Sequence, residues 1–210
     1  MNTLERIRQK FDLDLSKPSP IEIPNFGRDG LAELFAELGF QAGVEIGVER
    51  GLYSEVLCRA NPKLHLFCVD PWERYGSYRD HVSQEKLDSF YADAEKRLSP
   101  YAATLVRRFS MEEVKFHPHN SLDFVYIDGN HSFEYVVADV IEWEKRVRPG
   151  GILAGHDYIR RNNDISHHVV QAVSAYAECY KIHPWFLAGR RAKRDGEIRD
   201  KNRSWFWVKK

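Results

Sequence analysis

The first residues of chemical interest form the turn V-E-I-G-V-E-R-G, residues 44–51, where a short apolar stretch gives way to an amphipathic one. Gly47 and Gly51 allow a tight turn and a close approach of the backbone to a ligand. Asp70 ends the next apolar stretch, where it is placed to accept hydrogen bonds from the two hydroxyls of a ribose. Together these residues predict a site for an adenosine-containing cofactor.

The charge of this turn distinguishes between adenosine cofactors. A dinucleotide site requires glycine where this chain has Glu49 and Leu52, and Glu45 adds a second carboxylate. Each carboxylate close to a pyrophosphate would repel it by about 4 kcal/mol at an effective dielectric constant of about 20. S-adenosylmethionine instead carries an ammonium and a sulfonium, which an acidic turn attracts. The turn therefore favours S-adenosylmethionine over the alternative, a nicotinamide-dependent oxidoreductase, although a tight turn without a cofactor stays open.

A second group of polar residues follows two later apolar stretches. Asp128, Asn130 and His131 follow S-L-D-F-V-Y-I, and His156 and Asp157 follow G-I-L-A-G. Neighbouring parallel strands lie about 4.8 Å apart, so these side chains can converge. Asp128 and Asp157 could hold a hard divalent cation such as Mg²⁺, and His156 as a further ligand would favour a more nitrogen-tolerant metal.

If the cofactor donates its methyl group to an alcohol oxygen, the hydroxyl proton must be removed, which gives these residues a catalytic interpretation. His131 is the candidate general base, because imidazole titrates near neutral pH, and Asp128 is the candidate catalytic residue beside it. Two structural alternatives stay open. His131 could bond to backbone near a helix N-terminus, and Asp157 could cap the loop after its strand.

The elements that position these residues alternate between strand and helix patterns. Five strand-then-helix units predict a parallel sheet with right-handed crossovers and helices on both faces. Two closing strands without a helix between them predict a hairpin, and hence a mixed sheet. A helix and a proline-containing linker precede the first unit, so we expect an extension over 1–27 and a ligand-binding domain over 28–210. The strands are predicted at 41–48, 63–70, 103–108, 121–128, 151–158, about 182–188 and about 204–209.

Composition restricts the class of protein. The 210 residues carry 31 Lys and Arg against 31 Asp and Glu, so no overall field attracts the chain to nucleic acid or to anionic lipid. No apolar run approaches the roughly 20 residues of a membrane span. The N-terminal residues are charged throughout and lack the apolar region of a secretory signal. Three cysteines without C-x-x-C spacing argue against a disulfide scaffold, so we expect a cytoplasmic protein.

Four motifs, in this order and spacing, resemble the class I S-adenosylmethionine-dependent methyltransferases: E-I-G-V-E-R-G-L-Y-S, C-V-D-P-W, D-F-V-Y-I-D-G-N-H-S-F-E-Y and V-R-P-G-G-I-L-A-G-H-D-Y. More narrowly, they resemble the branch that includes macrocin-type O-methyltransferases and cephalosporin hydroxylase-like proteins. The resemblance covers about residues 28–210. It implies a Rossmann-like, doubly wound α/β sheet of seven strands, the last of them antiparallel. The chain departs from the commoner motif at Glu49, which replaces a glycine.

The resemblance implies a role for each matched position of the first two motifs. Glu45 and Gly47 would line the methionine part of the cofactor, and Ser54 would help to hold its carboxylate. Gly51 would shape the turn, and Asp70 would bind the ribose hydroxyls. For Ser54, a plain helix cap is the structural alternative.

The adenine and metal subsites follow from the same resemblance. Trp72, or its neighbour Pro71, would lie against the adenine, and Ser110 and Met111 would approach the adenine edge. Packing under the loop is the alternative for Trp72, and helix capping for Ser110. In the resembling enzymes a magnesium ion lies at the place of the last two motifs, which here offer Asp128, His156 and Asp157; relatives more often carry an acidic residue at position 156.

These observations predict O-methylation of a hydroxyl on a small molecule or glycan, assisted by a divalent metal. We expect the acceptor to be covered by residues 1–30, by the loop 72–82 with Tyr75 and Tyr78, and by 158–166. The basic stretch 189–203 supports an alternative, an RNA methyltransferase, although a solvated hairpin loop suits the zero net charge better. No membrane partner is expected. The oligomeric state is not determined by the sequence, and a homo-oligomer stays open.

Overall fold

The computed structural model describes residues 2–76, 83–159, 166–192, 194–198 and 200–210. Over these residues, eight strands form one mixed sheet in the order β1-β7-β8-β6-β5-β2-β3-β4. The strands are β1 (Ile21–Ile23), β2 (Ala42–Ile46), β3 (His65–Asp70), β4 (Ala103–Arg107), β5 (Leu122–Ile127), β6 (Val147–Gly155), β7 (Phe186–Ala188) and β8 (Trp205–Val208).

Helices cover both faces of this sheet, which confirms the predicted α/β architecture. They are α1 (Thr3–Lys10), α2 (Arg28–Glu37), α3 (Leu52–Ala60), α4 (Gln84–Leu98), α5 (Ser110–Glu113), α6 (Phe133–Glu144) and α7 (Ser166–Cys179), with a short 3₁₀ helix at Val114–Phe116. Within the described part of the chain, no helix is long and apolar enough to cross a membrane.

The core consists of two layers separated by the sheet. Phe124 and Val125 are neighbours on β5 and are fully buried, but they belong to opposite layers because successive strand residues point to opposite faces. The layer of Phe124 includes side chains of α2, α3 and α4, and the layer of Val125 includes side chains of α6 and α7. Burial on both faces explains why β5 reads as a nearly continuous apolar run.

The segment that the sequence predicts as a linker contributes an additional strand, so the sheet has eight strands where seven were expected. Strand β1 pairs in parallel with β7, with Ile21 opposite Phe186 and Ile23 opposite Ala188. Ile21 and Ile23 are buried whereas Glu22 is exposed, the alternation of a strand with one buried face. Flanking prolines suit an edge strand. The division at residue 28 stays a prediction, since part of the extension joins the sheet.

The predicted closing hairpin is confirmed. Strand β8 lies between β7 and β6 and is antiparallel to both. The remaining ladder pairs are parallel, and β2 lies between β3 and β5. The chain order therefore reverses at β2 and β5, and this reversal opens a crevice at the carboxyl ends of these strands. The residues that could do chemistry follow these strand ends.

Candidate active site

A cavity of about 700 Å³ opens where β2, β3 and β5 end. This volume lies within the range of small-molecule sites, which is roughly 300–1,000 Å³. Most of the residues predicted for the site line the cavity: Glu45, Gly47, Asp70, Trp72, Ser110, Met111, Asp128 and His131. Gly51, Ser54, His156 and Asp157 lie outside its lining, and Tyr78 lies outside the described residues.

Gly47 is the point where the turn after β2 contacts the loop after β5. Its φ of 85° lies in the left-handed region, and a Cβ at this position would lie 2.1 Å from the Asp128 carbonyl oxygen. No side chain fits at this distance. Glu49 also has a positive φ, 51°, in the place where the related motif has glycine. The turn therefore keeps its left-handed geometry with a non-glycine residue at that position.

Asp70 fixes the shape of this turn. Its Oδ2 atom accepts hydrogen bonds from the backbone N–H groups of Val48 and Glu49, each 3.0 Å long, and its Oδ1 atom accepts one of 2.8 Å from the N–H of Trp72. Burial raises the pKa of Asp70, and the three N–H donors act in the opposite direction. The carboxylate lies at the cavity wall, where a ribose hydroxyl could join these donors.

Glu45 and Ser54 form a buried pair behind the turn. The Ser54 hydroxyl donates a hydrogen bond to the Glu45 carboxylate, and both side chains are buried. Burial raises the pKa of Glu45 to about 8, against the effects of Ser54 and of the Arg28 charge. Ser54 thus orients Glu45, and its hydroxyl hydrogen is committed to that carboxylate and not to a cofactor carboxylate.

Trp72 combines packing with a place in the cavity wall. Its indole N–H donates a 2.7 Å hydrogen bond to the Glu49 carbonyl, and its ring packs edge-on against Tyr91 with a centroid distance of 5.0 Å. The side chain is 1% exposed. These contacts favour the packing alternative, in which Trp72 supports the turn from below.

Ser110 contacts Asp139, a residue that the sequence analysis did not single out. Its hydroxyl donates a hydrogen bond to the Asp139 carboxylate and accepts one of 2.7 Å from the Trp143 indole N–H. Asp139 lines the cavity, and burial raises its pKa to about 7. The signal for Asp139 was an acidic residue directly before Val140 in the apolar stripe of α6.

Asp128, His131 and Asp157 form a compact group at the rim of the cavity. The His131 Nε2 atom lies 2.8 Å from Asp157 Oδ2 and 3.7 Å from Asp128 Oδ1. Burial works against a charged imidazole, but the two carboxylates outweigh it and raise the pKa of His131 to about 10. The histidines in turn hold the pKa of Asp128 and of Asp157 below their usual values, against the effect of burial. In this arrangement His131 is an imidazolium at neutral pH.

The same group offers candidate ligands for a divalent cation. One ligand atom from each of Asp128, His131 and Asp157 lies within 4.8 Å of the others. The buried Nε2 atom of His131 has no aligned hydrogen-bond partner, despite its short distance to Asp157. One imidazole nitrogen and two carboxylate oxygens suit a divalent metal ion.

His156, predicted as a metal ligand, also lies close to both aspartates. Its Nδ1 atom lies 3.6 Å from Oδ2 of both Asp128 and Asp157, while its Nε2 atom lies 3.3 Å from Asp200 Oδ1. Burial disfavours the charged ring, but the three carboxylates raise the pKa of His156 to about 11. The role of His156 as a metal ligand stays a prediction, beside the group that Asp128 and Asp157 form with His131.

Two further features lie at or near the cavity. Arg28, the first residue of α2, lines the cavity and places Nη2 3.6 Å from Asp128 Oδ2. It precedes every motif, so no sequence signal marked it. Asn130 donates a 3.1 Å hydrogen bond to the Tyr75 hydroxyl, which joins one residue of the predicted acceptor loop to the end of β5.

The basic stretch 189–203 contains arginines that are already paired. Arg190 lies 3.4 Å from Glu197, and Arg203 lies 2.6 Å from Glu22. Lys193 and Arg199 lie outside the described residues, as do 160–165 of the predicted acceptor cover. The described pairs agree with a solvated hairpin loop.

Comparisons with known proteins give a consistent family. A family model described as a methyltransferase domain matches residues 44–158, more than half of the chain. A search of curated proteins gave no match.

Similar solved structures share the fold at low sequence identity. The O-methyltransferase TomG from Streptomyces achromogenes, in complex with SAM, is 20% identical, with a TM-score of 0.58 over 99% of this chain and 90% of that chain. The O-methyltransferase from Bacillus cereus, in complex with SAH, is 17% identical, with a TM-score of 0.60 over the same shares. Cofactor-bound Rv0187 from MTB is 17% identical, with a TM-score of 0.61 over 86% of this chain and 78% of that one.

Proposed function

The chain belongs to the methyltransferase-domain family, which confirms the enzyme class expected from its motifs, and we propose that it transfers a methyl group from S-adenosylmethionine to a hydroxyl oxygen of a small molecule or glycan. One observation carries this proposal. A single cavity joins the acid-lined turn at Glu45 and Asp70 to the Asp128–His131–Asp157 group at its rim. The names of two structural neighbours, O-methyltransferases with SAM or SAH bound, support it.

The two ends of the cavity suit the two ends of the proposed cofactor. We propose that the ribose hydroxyls bind at Asp70, next to the backbone N–H groups that already fix its carboxylate. The ammonium and sulfonium would lie toward Glu45 and Asp128. A nearby cation favours the ionised form of a carboxyl, so cofactor binding would lower the raised pKa of Glu45.

Transfer to oxygen is an in-line displacement. The acceptor oxygen forms a bond to the methyl carbon, the carbon–sulfur bond breaks, and the sulfonium becomes a neutral thioether while the hydroxyl proton leaves. Asp128 and Asp157 would hold a divalent cation such as Mg²⁺, which would lower the pKa of the acceptor hydroxyl and leave the His131 imidazole available as a base. His131 lines the cavity and is our candidate to receive the proton; once its carboxylate partners are engaged elsewhere, its pKa returns toward 6.5.

The other enzyme classes considered from the sequence gain less support. The family match gives no basis for a nicotinamide-dependent oxidoreductase. The RNA alternative is weakened by the pairing of Arg190 and Arg203 with acidic residues. A small-molecule or glycan acceptor, and a cytoplasmic location, stay part of the proposal.

A transfer assay tests this function. Protein, methyl-labelled S-adenosylmethionine and a panel of hydroxylated metabolites and oligosaccharides are incubated with Mg²⁺ or with a chelator. We expect label on oxygen in a Mg²⁺-dependent reaction. Asp128→Asn and Asp157→Asn should each reduce the rate of this reaction by about 10-fold or more, the order of magnitude for loss of a metal-site residue. Asp93→Asn, at an exposed ion pair with Arg50, is the control and keeps full activity. Label found only on nitrogen or on RNA would contradict the proposal, and activity in chelator would end its metal component.

A further inference from the structure

Arg28 places a guanidinium in the wall of a cavity whose other charged side chains are mostly acidic. Among the described residues that line the cavity, it is the single arginine or lysine. It lies beside Glu45, Tyr53 and Asp128, which form the end of the cavity proposed for the methionine part of the cofactor. Its charge therefore stands out against the carboxylates around it.

The guanidinium is held in place by aromatic rings, and part of its capacity to donate hydrogen bonds is unused. It lies over the Tyr53 ring, 4.1 Å from the centroid, and 5.8 Å from that of Tyr126. Its Nη2 atom is 3.6 Å from Asp128 Oδ2, beyond hydrogen-bond distance, and its buried Nε atom has no partner. A guanidinium offers five N–H donors in a planar fork that matches a carboxylate.

Both hydroxyl groups near the start of α3 are committed elsewhere. Ser54 donates to Glu45, and the Tyr53 hydroxyl donates a 2.8 Å hydrogen bond to the Arg28 carbonyl oxygen. The Tyr53 bond also fixes the first turn of α2 against α3. A carboxylate at this end of the cavity would face the ionised Asp128, which repels it, unless a cation binds it.

We propose that Arg28 binds the α-carboxylate of the amino-acid part of S-adenosylmethionine, an inference that rests on the proposed function. The ring of Tyr53 orients the guanidinium, and the neighbouring ammonium lies toward Glu45. Arg28 and Glu45 thus divide the zwitterion of the amino acid between them. An arginine that only balanced the charge of Asp128 would not distinguish ligands with and without a carboxylate.

The test uses three ligands that differ only in this part: S-adenosylhomocysteine, its decarboxylated analogue and 5′-methylthioadenosine. Calorimetry measures each with wild type, Arg28→Met, Arg28→Lys and the control Arg148→Met. Arg148 is a suitable control because it also lies over a ring, that of Phe40 at 5.3 Å, and neither residue belongs to the cavity lining. We expect Arg28→Met to weaken S-adenosylhomocysteine by about 10- to 100-fold, the scale of a hydrogen bond to a charged group. The other two ligands change less than about threefold, Arg28→Lys loses less than Arg28→Met, and Arg148→Met changes nothing.

The outcomes separate this inference from the function on which it rests. If Arg28→Met weakens all three ligands equally, or none, the inference is wrong, because Arg28 then acts structurally or not at all. If wild type binds methylthioadenosine but does not prefer S-adenosylhomocysteine to its decarboxylated analogue, the carboxylate contact is wrong while the cofactor site stands. If Arg28→Met leaves cofactor binding intact but raises the KM of a carboxylate-bearing acceptor, the carboxylate belongs to the acceptor. Failure of wild type to bind any of the three contradicts the proposed function itself.

Discussion

The carboxyl groups of the turn after β2 differ in electrostatic state from those at the ends of β5 and β6. Burial raises the pKa of Glu45 and of Asp70, whose closest partners are a hydroxyl and backbone N–H groups. Histidines instead hold the pKa of Asp128 and of Asp157 low. In the first region the partners of the carboxyl groups are neutral hydrogen-bond donors, so a cationic cofactor would stabilise the ionised carboxylates. The second already contains imidazolium partners, so a cation that binds there must replace a proton.

The two regions also differ in how the backbone supports them. The turn is fixed by three N–H donors on Asp70, and at Gly47 its backbone packs directly against main-chain atoms of the second region. The strand-end group is fixed by side chains of opposite charge. Changes of shape should therefore damage the first region most, and changes of charge the second.

The largest expected effect is the loss of stability in Gly47→Ala. The alanine would have to keep a positive φ, and its Cβ would lie 2.1 Å from the Asp128 carbonyl oxygen. Because the backbone cannot move away without separating the two loops, we expect the free energy of unfolding to fall by about 3 kcal/mol or more. Urea denaturation measures this change. Gly76→Ala, where an added Cβ meets nothing within 4 Å, is the control and should change it by less than about 0.5 kcal/mol. A Gly47→Ala protein of wild-type stability would show that the two regions are not in fixed contact.

The next effect is that of Asp70→Ala, which removes the acceptor of three backbone N–H groups. We expect a loss of about 2 to 3 kcal/mol in the free energy of unfolding, together with cofactor binding weakened by more than about 1 kcal/mol. Asp88→Ala, which breaks an exposed ion pair with Arg107, should cost less than about 1 kcal/mol and leave cofactor affinity unchanged. Equal cofactor binding by Asp70→Ala would remove the ribose assignment.

The pH dependence of the free energy of unfolding gives a more gradual effect, which distinguishes the two regions. The folded pKa of Glu45 is raised from 4.5 to about 8, so its contribution to stability is complete below pH 4.5 and is lost as the pH rises to about 8. His131, raised from 6.5 to about 10, contributes fully below pH 6.5 and loses its contribution as the pH rises through about 10. Glu45→Gln should flatten the lower part of the stability–pH curve, and Asp157→Asn the upper part. Both variants flattening the same pH range would contradict the difference between the regions.

The smallest expected effect lies outside both regions, in the hairpin loop. Arg191→Gln combined with Arg194→Gln should change stability by less than about 0.5 kcal/mol, because both residues are exposed and exposed charges contribute little. Neither this variant nor wild type should bind RNA in a salt-dependent manner, which filter binding at two salt concentrations measures. Wild-type affinity for RNA that the variant loses would revive the RNA alternative.

The sequence predicted the sheet and its strand ends because hydrophobic periodicity, and the glycines and prolines that end each segment, are local features of the chain. Apolar runs and glycines placed Asp70 at the end of β3, Asp128 after β5 and Asp157 after β6, and parallel pairing brings these strand ends to one edge of the sheet. Strand β1 was missed because three residues between prolines carry too short a pattern. Its pairing with β7 depends on chain segments far apart in sequence.

The parts of the site that the sequence did not predict depend on packing. Arg28 reaches the cavity because α2 packs beside α3, and Asp139 reaches it from one turn of α6. The positions of both histidines relative to Asp157 were not predictable either, because no pattern indicates its positive φ of 56°. The Asp157 carboxylate lies 2.8 Å from His131, and the His156 ring also reaches Asp200.

Calorimetry of S-adenosylmethionine against NADH, with wild type and Asp70→Ala, tests the central claim most directly. We expect S-adenosylmethionine to bind wild type at one site per chain, to bind Asp70→Ala at least about tenfold more weakly, and NADH to give no heat of binding. NADH binding that Asp70→Ala abolishes, with no binding of S-adenosylmethionine, would contradict the assignment of the acid-lined turn to a sulfonium cofactor.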